Sequence, residues 1–422
     1  MEKLFLSIIL CCATTFVNAQ CDTTKRPVVF VHGFLASGDT YAGQIQRFIE
    51  RGYCGLQLYV FDWNSVGGNP KKTDSLLNTF IDTVLKRTKS QQVDLVGHSA
   101  GGGLGRSYLQ DSIHAMKVAH YVHLGSRKWT KEYSWFPNSR CLNIYSKADM
   151  VAGSGGGEVP GAVSIDLKDK DHYEAATSME TFLAMYKFFN SGKEPVLKNV
   201  RGHLSHINGK AVLLGSNEPM AGAIIEIFPL KKNGRRKNEK ATHQFTADAE
   251  GNWGSFLADT ALQYEIAVTP AETNGRKLSY YFEKFQIFNQ HVYLRGFPEG
   301  NMISRMLGNI PAKDDQSVVV IFSATKAMIA GRDSVTVNGT PVSSFALTPA
   351  SKTIISSFIF DDGDGKTSGS GLKQFSTAPF IGGVDVSLPV NNKKGNTIYY
   401  NGRKLVLPAA PSKERILLAV FN

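Results

Sequence analysis

The chain has 422 residues, 42% hydrophobic and 20% charged, a composition of two or three folded domains rather than of a disordered chain. Its 47 Lys and Arg outnumber its 36 Asp and Glu, giving a net charge of +11. That excess favours anionic surfaces but is weak evidence for nucleic-acid binding. The sequence has neither a zinc-finger spacing nor a GxxxxGK[ST] phosphate-binding loop.

The first residues have the pattern of a secretory signal. Lys3 precedes an apolar run over residues 4–12, and Val17-Asn18-Ala19 has small residues where a signal peptidase cleaves. We therefore predict a signal peptide over 1–19 and an exported, secreted protein. The alternative is a lipoprotein signal that ends at Cys21, which the preceding Gln20 fits poorly. No later stretch reaches the roughly twenty apolar residues of a membrane-spanning helix.

Three cysteines follow the predicted signal peptide, and export permits a disulfide. Cys21 precedes the first predicted strand, and Cys54 precedes the second. If these strands are parallel neighbours, both thiols lie at the same end of the sheet. We predict a Cys21–Cys54 disulfide with Cys141 free; three unpaired thiols are the alternative.

Strand-like and helix-like periods alternate from residue 27 to about 192, which is typical of a parallel sheet covered by helices. The predicted strands are Val28–Val31, Leu58–Phe61, Val93–Val96, Val118–Leu124, Leu142–Tyr145 and Val163–Leu167. The predicted helices are Tyr41–Arg51, Ser75–Lys89, Gly101–Ser112 and Ser178–Phe189. We expect an α/β domain over residues 20–194.

After Pro195 the helical period nearly vanishes, and short alternating runs separated by Gly, Pro, Asn and Asp predict an all-β region. It forms one large domain or two small ones, with a seam near Phe285–His291. We predict β domains over 195–285 and 286–422. The predicted strands include Ala223–Phe228, Tyr264–Val268, Val318–Ile321, Ile354–Phe360, Val384–Leu388 and Ile416–Phe421.

Gly97-His98-Ser99-Ala100-Gly101 is the main catalytic signal. A strand runs into this Gly-x-Ser-x-Gly motif and a helix follows directly, the context of a nucleophile elbow with Ser99 exposed at the turn. His32-Gly33-Phe34 ends the first strand in the same way. We predict that the N–H groups of Phe34 and Ala100 form an oxyanion hole and that His32 braces the loop.

The acid and the base must follow Ser99 in the order Ser, Asp or Glu, His. Asp149 follows one predicted strand and His172 lies on the loop after the next, so both emerge at the edge of the sheet where Ser99 sits. We predict Ser99, Asp149 and His172 as the catalytic residues. Rivals for the acid are Asp166, Asp169 and Asp171, which we interpret as solvated loop charges.

Two other segments bear on ligands. The connection 125–140 contains Trp129, Trp135 and Phe136, which we predict to bind substrate as an apolar patch or short lid; packing under a long loop is the alternative. The run Asp361-Asp362-Gly363-Asp364-Gly365 is rich in oxygen ligands for Ca²⁺, but it lacks the downstream Glu of an EF-hand. We interpret it as an Asp-Gly turn and predict no metal.

Together these residues resemble an α/β-hydrolase lipase or esterase. The His32-Gly33-Phe34 segment, the Ser99 motif, Asp149 and His172 are similar to the compact bacterial lipases that have almost no lid. The resemblance implies an α/β-hydrolase fold with a mostly parallel sheet.

A weaker resemblance covers nearly the whole mature chain, to an archaeal-type lipase with a C-terminal lipid-binding β domain. It depends on Lys117-Val118-Ala119-His120, Thr181-Phe182-Leu183-Ala184-Met185 and the run 360–366. That lipase takes its acid from the position of Gly125, so the assignment of Asp149 follows the compact lipases. Residues 209–268 also resemble a transthyretin-like β-sandwich.

We predict a secreted serine carboxylester hydrolase that needs no metal or organic cofactor. Long-chain acylglycerols are the first substrate class, with peripheral contact to lipid surfaces, and we expect no nucleic-acid partner. A polyester hydrolase with the same three residues is one alternative. A non-catalytic secreted binding or adhesion protein is another. The sequence leaves the acyl-chain length, the role of the β region and the oligomeric state open.

Overall fold

The structure is a computed structural model that describes residues 21–67, 69–198, 202–271, 276–298, 300 and 302–422. The predicted signal peptide therefore lies outside the described residues. Among the helices of the described part, none has the length and apolar character needed to span a membrane.

A six-stranded, all-parallel sheet organises the first part of the chain, as predicted, with the strand order β2-β1-β3-β4-β5-β6. Its strands are β1 (Val28–Val31), β2 (Leu58–Phe61), β3 (Val93–His98), β4 (Val118–Leu124), β5 (Cys141–Tyr145) and β6 (Val163–Asp166). Helices cover both faces, so β1 and β3 are buried along their whole length and consist largely of apolar residues.

Six helices accompany this sheet: α1 (Ala42–Ile49), α2 (Pro70–Thr88), α3 (Ala100–Tyr108), α4 (Ser112–Met116), α5 (Glu174–Thr177) and α6 (Met179–Phe189). Phe48 of α1 and Phe182 of α6 pack in the core on one face. Leu77 of α2 and Leu104 of α3 pack on the other. Because all six strands are parallel, their carboxyl ends meet at one edge, where the loops that follow β1, β3, β5 and β6 lie together.

The disulfide joins Cys21 to Cys54, at the end of the sheet opposite to the catalytic loops, where Asp22 also bridges Tyr53. Cys141, the first residue of β5, is a free, buried thiol.

The rest of the chain is almost entirely β structure, which confirms the predicted change of fold class. Its strands are β7 (Leu204–Leu213), β8 (Ile224–Pro229), β9 (His243–Thr246), β10 (Asn252–Asp259), β11 (Tyr264–Thr269), β12 (Lys277–Phe282), β13 (Asn289–Gly296), β14 (Val319–Phe322), β15 (Val335–Val337), β16 (Thr340–Pro341), β17 (Ser356–Phe360), β18 (Ile381–Asp385), β19 (Asn396–Tyr400), β20 (Arg403–Leu407) and β21 (Arg415–Val420). Among the described residues of this region, one α-helix, α7 (Met302–Leu307), interrupts the strands. The strand predicted at Val384–Leu388 begins three residues earlier, at Ile381.

These strands form three sheets in layers. The eight-stranded sheet has the order β18-β17-β14-β21-β12-β11-β8-β9, and it lies between the three-stranded sheet β10-β7-β13 and the four-stranded sheet β16-β15-β19-β20. The alternation along β21 shows the layering, because Ile416 and Leu418 enter one core while Leu417 and Ala419 enter the other. The boundary predicted at 285 and 286 falls between β12 and β13, yet strands from both sides of it pair in the eight-stranded sheet.

The α/β part and the β region share a polar and apolar interface. Arg295 of β13 makes two hydrogen bonds to Asp39, at 2.8 and 2.5 Å, and both side chains are buried. Asp62, just after β2, accepts hydrogen bonds from Lys210 and Tyr293 of the β region. The apolar core of the β region also includes Leu35 and Tyr173 from the α/β part, so residues of both regions form this core.

Candidate active site

Ser99 occupies the sharp turn between β3 and α3. Its backbone has φ 51° and ψ −121°, an unusual conformation for a residue with a side chain, and its N–H donates to Leu124 O at 2.9 Å. The flanking glycines allow the turn to pack closely. A Cβ at Gly97 would lie 2.5 Å from Gly101 O, and a Cβ at Gly101 would lie 2.4 Å from His32 O. The absence of side chains at these two glycines therefore allows the nucleophile elbow to pack closely against the end of β1.

Asp149 and His172 meet at the carboxyl edge of the sheet. His172 Nδ1 lies 2.8 Å from Asp149 Oδ2, and both side chains are almost completely buried. Asp149 follows β5, and His172 lies on the loop after β6. With Asp149 as acceptor, Nδ1 carries the ring proton and Nε2 is left to accept a proton from a hydroxyl.

Local contacts keep Asp149 ionised. Burial on its own raises the pKa of this carboxyl, but the hydrogen bond from His172 and the N–H groups of Ala152 and Val151 outweigh it and lower the pKa below 3.8. Gly125 leaves room for the carboxylate, because a Cβ there would lie 3.3 Å from Asp149 Oδ2. Gly125 is the position at which the resemblance to the archaeal-type lipase would place the acid. In this chain Gly125 has no side chain, and the Asp149 carboxylate lies next to it.

His98 supports the candidate base, a role that the sequence did not indicate. Its ring lies 4.6 Å from the ring of His172, and its Nε2 lies 2.9 Å from His172 O. Burial, together with the neighbouring His172, lowers the pKa of His98 to about 3, so its ring is neutral and Nε2 donates to that carbonyl. Because His98 precedes Ser99 directly, this bond ties the His172 loop to the nucleophile turn.

The loop that follows β1 passes beside Ser99, as the predicted oxyanion hole requires. A Cβ at Gly33 would lie 3.1 Å from Ser99 Cβ, so the Gly33–Phe34 peptide runs alongside the nucleophile. Ala100 begins α3 and carries the other predicted donor. His32 is buried and lies 2.9 Å from Gly33 O through Nδ1, which agrees with the bracing role predicted for it.

Ser99 follows His98 in the chain, and His98 contacts His172. Among the described residues there is no hydrogen bond between the Ser99 hydroxyl and His172. Ser99 is partly exposed, whereas His172 is 3% exposed. Hydrogen bonds between nucleophile and base are often long before substrate binds and shorten in the complex.

The rival acids have other partners. Asp166, in β6, accepts from the N–H groups of Lys147 and Lys168. Asp171 is not the solvated loop charge that we expected, since it is 4% exposed. Its carboxylate accepts from the N–H groups of Tyr173 and Ala327 and pairs with Arg332 at 2.9 Å.

The predicted aromatic patch over residues 125–140 does not form one exposed surface, because its three side chains face different surroundings. Phe136 is fully buried in the core beside α2 and α3, so the expectation that it binds substrate is wrong. Trp129 packs against Arg106 of α3, whose guanidinium lies 4.6 Å from the indole, and donates to Asn138. Trp135 is 46% exposed, and its indole donates to Leu109 O at the far end of α3. The long loop is therefore packed on the back of α3, as the alternative interpretation of its aromatic residues requires.

A narrow apolar cavity lies between the loop after β1 and the β region. Its volume is about 40 Å³, and its walls include Leu35, Leu214, Phe297, Phe380 and Ile381. Leu35 is next to the predicted oxyanion donor, and the ring of Phe380 lies 6.4 Å from the ring of Phe34. The sequence around Phe380 did not predict that it lies near the candidate site. Phe380 belongs to the loop before β18, far along the chain from the other residues of the site.

The carboxylates of the acidic run 361–365 lie close to the buried Asp385 and accept backbone hydrogen bonds. The carboxylates of Asp361, Asp362 and Asp385 approach within 4.8 Å of one another. Asp385, which is buried, accepts from the N–H groups of Asp362 and Ser368, while Asp361 accepts from Gly365 N–H. Residues 363–366 form a bend, and the hydrogen bonds described for it run from backbone N–H groups to carboxylates.

Comparison with known families gives three matches along the chain. Residues 26–141 match the alpha/beta hydrolase fold, and residues 204–309 match the lipase C-terminal domain. Residues 309–415 match a further model of a C-terminal domain. The matches follow the chain in the same order as the α/β part and the β region.

The solved structures that match part of this chain include esterases and lipases. A carboxylesterase of Bacillus cereus is 12% identical, with a TM-score of 0.31 over 41% of this chain and 91% of that one. A monoacylglycerol lipase of Paleococcus ferrophilus is 15% identical, with a TM-score of 0.31 over 40% of this chain and 97% of that one. A Bacillus licheniformis lipase is 14% identical, with a TM-score of 0.32 over 59% of this chain and 72% of that one.

Proposed function

We propose that this chain, an α/β hydrolase of the lipase and esterase type with a C-terminal β region, is a secreted serine hydrolase that cleaves acyl esters of lipids. Ser99 is the nucleophile, His172 the base and Asp149 the acid that orients it. The single observation that carries the proposal is the 2.8 Å hydrogen bond between His172 Nδ1 and Asp149 Oδ2, beside the turn that presents Ser99.

The chemistry follows from this placement. His172 Nε2 takes the Ser99 proton as Oγ forms a bond to the ester carbonyl carbon, and the carbonyl oxygen becomes an oxyanion facing the N–H groups of Phe34 and Ala100. The tetrahedral intermediate expels the alcohol, which takes the proton from His172. A water molecule then gives a proton to His172 as its oxygen attacks the acyl carbon of the acyl-enzyme. The second tetrahedral intermediate expels Ser99 Oγ, which takes that proton back from His172, and the acid is released. Asp149 stays ionised throughout and stabilises the imidazolium.

The apolar cavity supports an acyl ester as substrate. Leu35, which follows the predicted oxyanion donor in the chain, forms part of its wall. The rest of the wall consists mainly of aliphatic and aromatic side chains, which stabilise apolar groups through the hydrophobic effect. The lipase C-terminal domain match over 204–309 covers strands that form its walls.

Active-site labelling tests the proposal. A fluorophosphonate probe should label wild-type protein at Ser99, with labelling abolished in Ser99→Ala, and the wild type should hydrolyse p-nitrophenyl esters and emulsified triacylglycerol. Ser107→Ala, in the same helix as the elbow but outside the motif, is the matched control and should label normally. Folded wild-type protein that neither labels nor hydrolyses any ester would instead indicate the binding protein. Release of monomer from a polyester film without hydrolysis of triacylglycerol would indicate the polyester hydrolase.

Export is tested separately. Expression of the full chain in a host with a secretion pathway should place the protein in the medium, and sequencing of its N-terminus should begin near Gln20. Retention inside the cell with Met1 intact would contradict the secretion.

A further inference from the structure

We propose that Asn217, a residue of the β region, positions the oxyanion donor of the α/β part. The inference rests on the proposed function, since it assigns a positioning residue to ester hydrolysis. Asn217 lies in the turn after β7, and its buried side chain reaches into the loop that follows β1. The sequence left the role of the β region open.

The turn that carries Asn217 is built to fit this loop. Asn217 has φ 58°, a left-handed conformation that Asn tolerates better than most residues, and its N–H donates to Leu213 O at 3.0 Å. Gly215, two residues earlier, allows close approach, because a Cβ there would lie 3.1 Å from Leu35 Cδ2. The Ser65 hydroxyl, which accepts from Leu35 N–H at 3.0 Å, also lies 3.4 Å from Gly215 O. The β7 turn and the β1 loop therefore pack as one unit.

The Asn217 amide contacts four groups, all of them in the α/β part. Its Nδ2 lies 3.0 Å from both Ala36 O and Trp63 O, and 3.2 Å from His32 Nε2. Its Oδ1 accepts from the Ser37 hydroxyl at 2.5 Å. The two carbonyls beside Nδ2 and the hydroxyl beside Oδ1 define which way the amide faces. One side chain thus joins the β1 loop to the segment after β2.

His32 connects this network to the oxyanion donor. Trp63 N–H donates to His32 Nε2 at 3.2 Å, so Nε2 is the acceptor, and the proton resides on Nδ1, which donates to Gly33 O at 2.9 Å. That carbonyl belongs to the same peptide unit as Phe34 N–H. Because a peptide unit is planar, fixing the direction of the carbonyl also fixes the direction of the N–H. Asn217 holds both Trp63 and the loop around His32, and so it holds the plane of the Gly33–Phe34 peptide.

The consequence for catalysis is specific. Negative charge on the carbonyl oxygen develops only in the transition state, so a donor that points away lowers kcat with little effect on KM. A displacement of about 1 Å at a catalytic group can cost about 100-fold in rate. Loss of the Asn217 side chain should therefore lower kcat without changing the binding of the acyl chain.

Asn217→Gly is the direct test, because glycine keeps the left-handed backbone and removes only the side chain. We expect kcat for p-nitrophenyl butyrate to fall about 10- to 100-fold, KM to stay within threefold, and the affinity for an alkyl boronic acid, which forms a tetrahedral adduct on Ser99, to fall by a similar factor. Asn338→Gly is the matched control. Asn338 also has a left-handed backbone, φ 50°, and its side chain bonds within the β region, to Asn396 and Thr397. It should lose thermal stability but keep kcat within twofold.

Ser37→Ala provides a second variant if Asn217→Gly does not fold. It removes the one bond to Asn217 Oδ1 and should lower kcat several-fold, again with KM unchanged. The inference is overturned if folded Asn217→Gly, or Ser37→Ala in its place, keeps wild-type kcat, or if the loss appears in KM alone. The wild-type measurements separate the two proposals, because a wild type that labels and hydrolyses esters sustains the proposed function whatever the variants do.

Discussion

The ring of Phe380 lies 6.4 Å from the ring of His172, with 21° between the ring planes. Phe380 belongs to the loop before β18, more than 200 positions along the chain from His172, and it is only 8% exposed. Its ring also contacts Tyr173 and forms part of the wall of the apolar cavity. The β region thus contributes a side chain to the immediate surroundings of the candidate base.

Phe380→Leu should change the acyl-chain preference. A smaller side chain at the cavity wall leaves more room for alkyl groups, and each additional methylene bound is worth about 1–3 kcal/mol in discrimination. We expect the ratio of kcat/KM for p-nitrophenyl octanoate over acetate to rise at least threefold. Phe375→Leu is the control, since Phe375 is buried in the same core but stacks on Phe358 rather than on His172. An equal change of the ratio in both variants would remove Phe380 from the specificity determinants.

Asp149→Asn should almost abolish turnover while the protein stays folded. An amide can present its NH₂ to Nδ1 and favour the wrong tautomer of His172, an effect worth about 10³–10⁴ in kcat. Steady-state kinetics on p-nitrophenyl butyrate measure it. Asp166→Asn tests the rival acid and should keep activity within twofold, because Asp166 bonds to the Lys147 and Lys168 backbone. The reverse ranking of the two variants would move the acid from β5 to β6.

Arg332→Gln should destabilise the protein more at pH 8 than at pH 5. Burial, with the nearby Glu174, raises the pKa of Asp171 to about 6, although Arg332 opposes the shift. A carboxyl with a raised pKa lowers folded stability when ionised; this cost is absent below its unfolded pKa of 3.8 and complete above about 6. Without Arg332 the ionised form is less favourable still, since Glu174 and Asp333 remain close by.

Thermal unfolding at the two pH values measures this dependence. Lys413→Gln, which breaks an exposed ion pair with Asp314, should show almost no loss at either pH. A loss for Arg332→Gln that is the same at pH 5 and pH 8 would mean that the guanidinium acts only by packing.

The double variant Cys21→Ser, Cys54→Ser should be less stable but equally active. The disulfide spans 33 positions, and closing a loop of that size stabilises the folded state by about 3–4 kcal/mol through the entropy of the unfolded chain. Because the bond lies at the end of the sheet away from Ser99, kcat at 25 °C should not change. Chemical denaturation, with and without reductant, measures the difference. Reduction should destabilise the wild type and leave the variant unaffected.

The α/β part could be predicted well because its signals are local. Buried parallel strands appear as short apolar runs, and their carboxyl ends meet at one edge of the sheet. The order of strands and loops along the chain was therefore enough to place Asp149 beside His172, at the same edge of the sheet as Ser99. The disulfide between Cys21 and Cys54 followed from the same reasoning about neighbouring strands.

Contacts between the α/β part and the β region could not be predicted from the sequence. Asn217 meets Ser37 across 180 positions, and no local period marks either residue for that contact. The aromatic loop shows the opposite failure, since its composition suggested an exposed patch while the fold turned Phe136 into the core. Composition tells what a surface could bind but not which way a side chain faces.

The position of β21 has a consequence for the order in which the protein matures. This strand, Arg415–Val420, pairs in parallel with both β12 and β14 and so joins the two halves of the eight-stranded sheet. During translation that sheet stays divided until residues 415–420 have left the ribosome. The loop after β1, which carries the predicted oxyanion donor, packs against the turn after β7 in the same β region. We therefore expect the enzyme to become active only late in its synthesis. A nascent chain stalled before residue 415 should carry Ser99, Asp149 and His172 and still be inert.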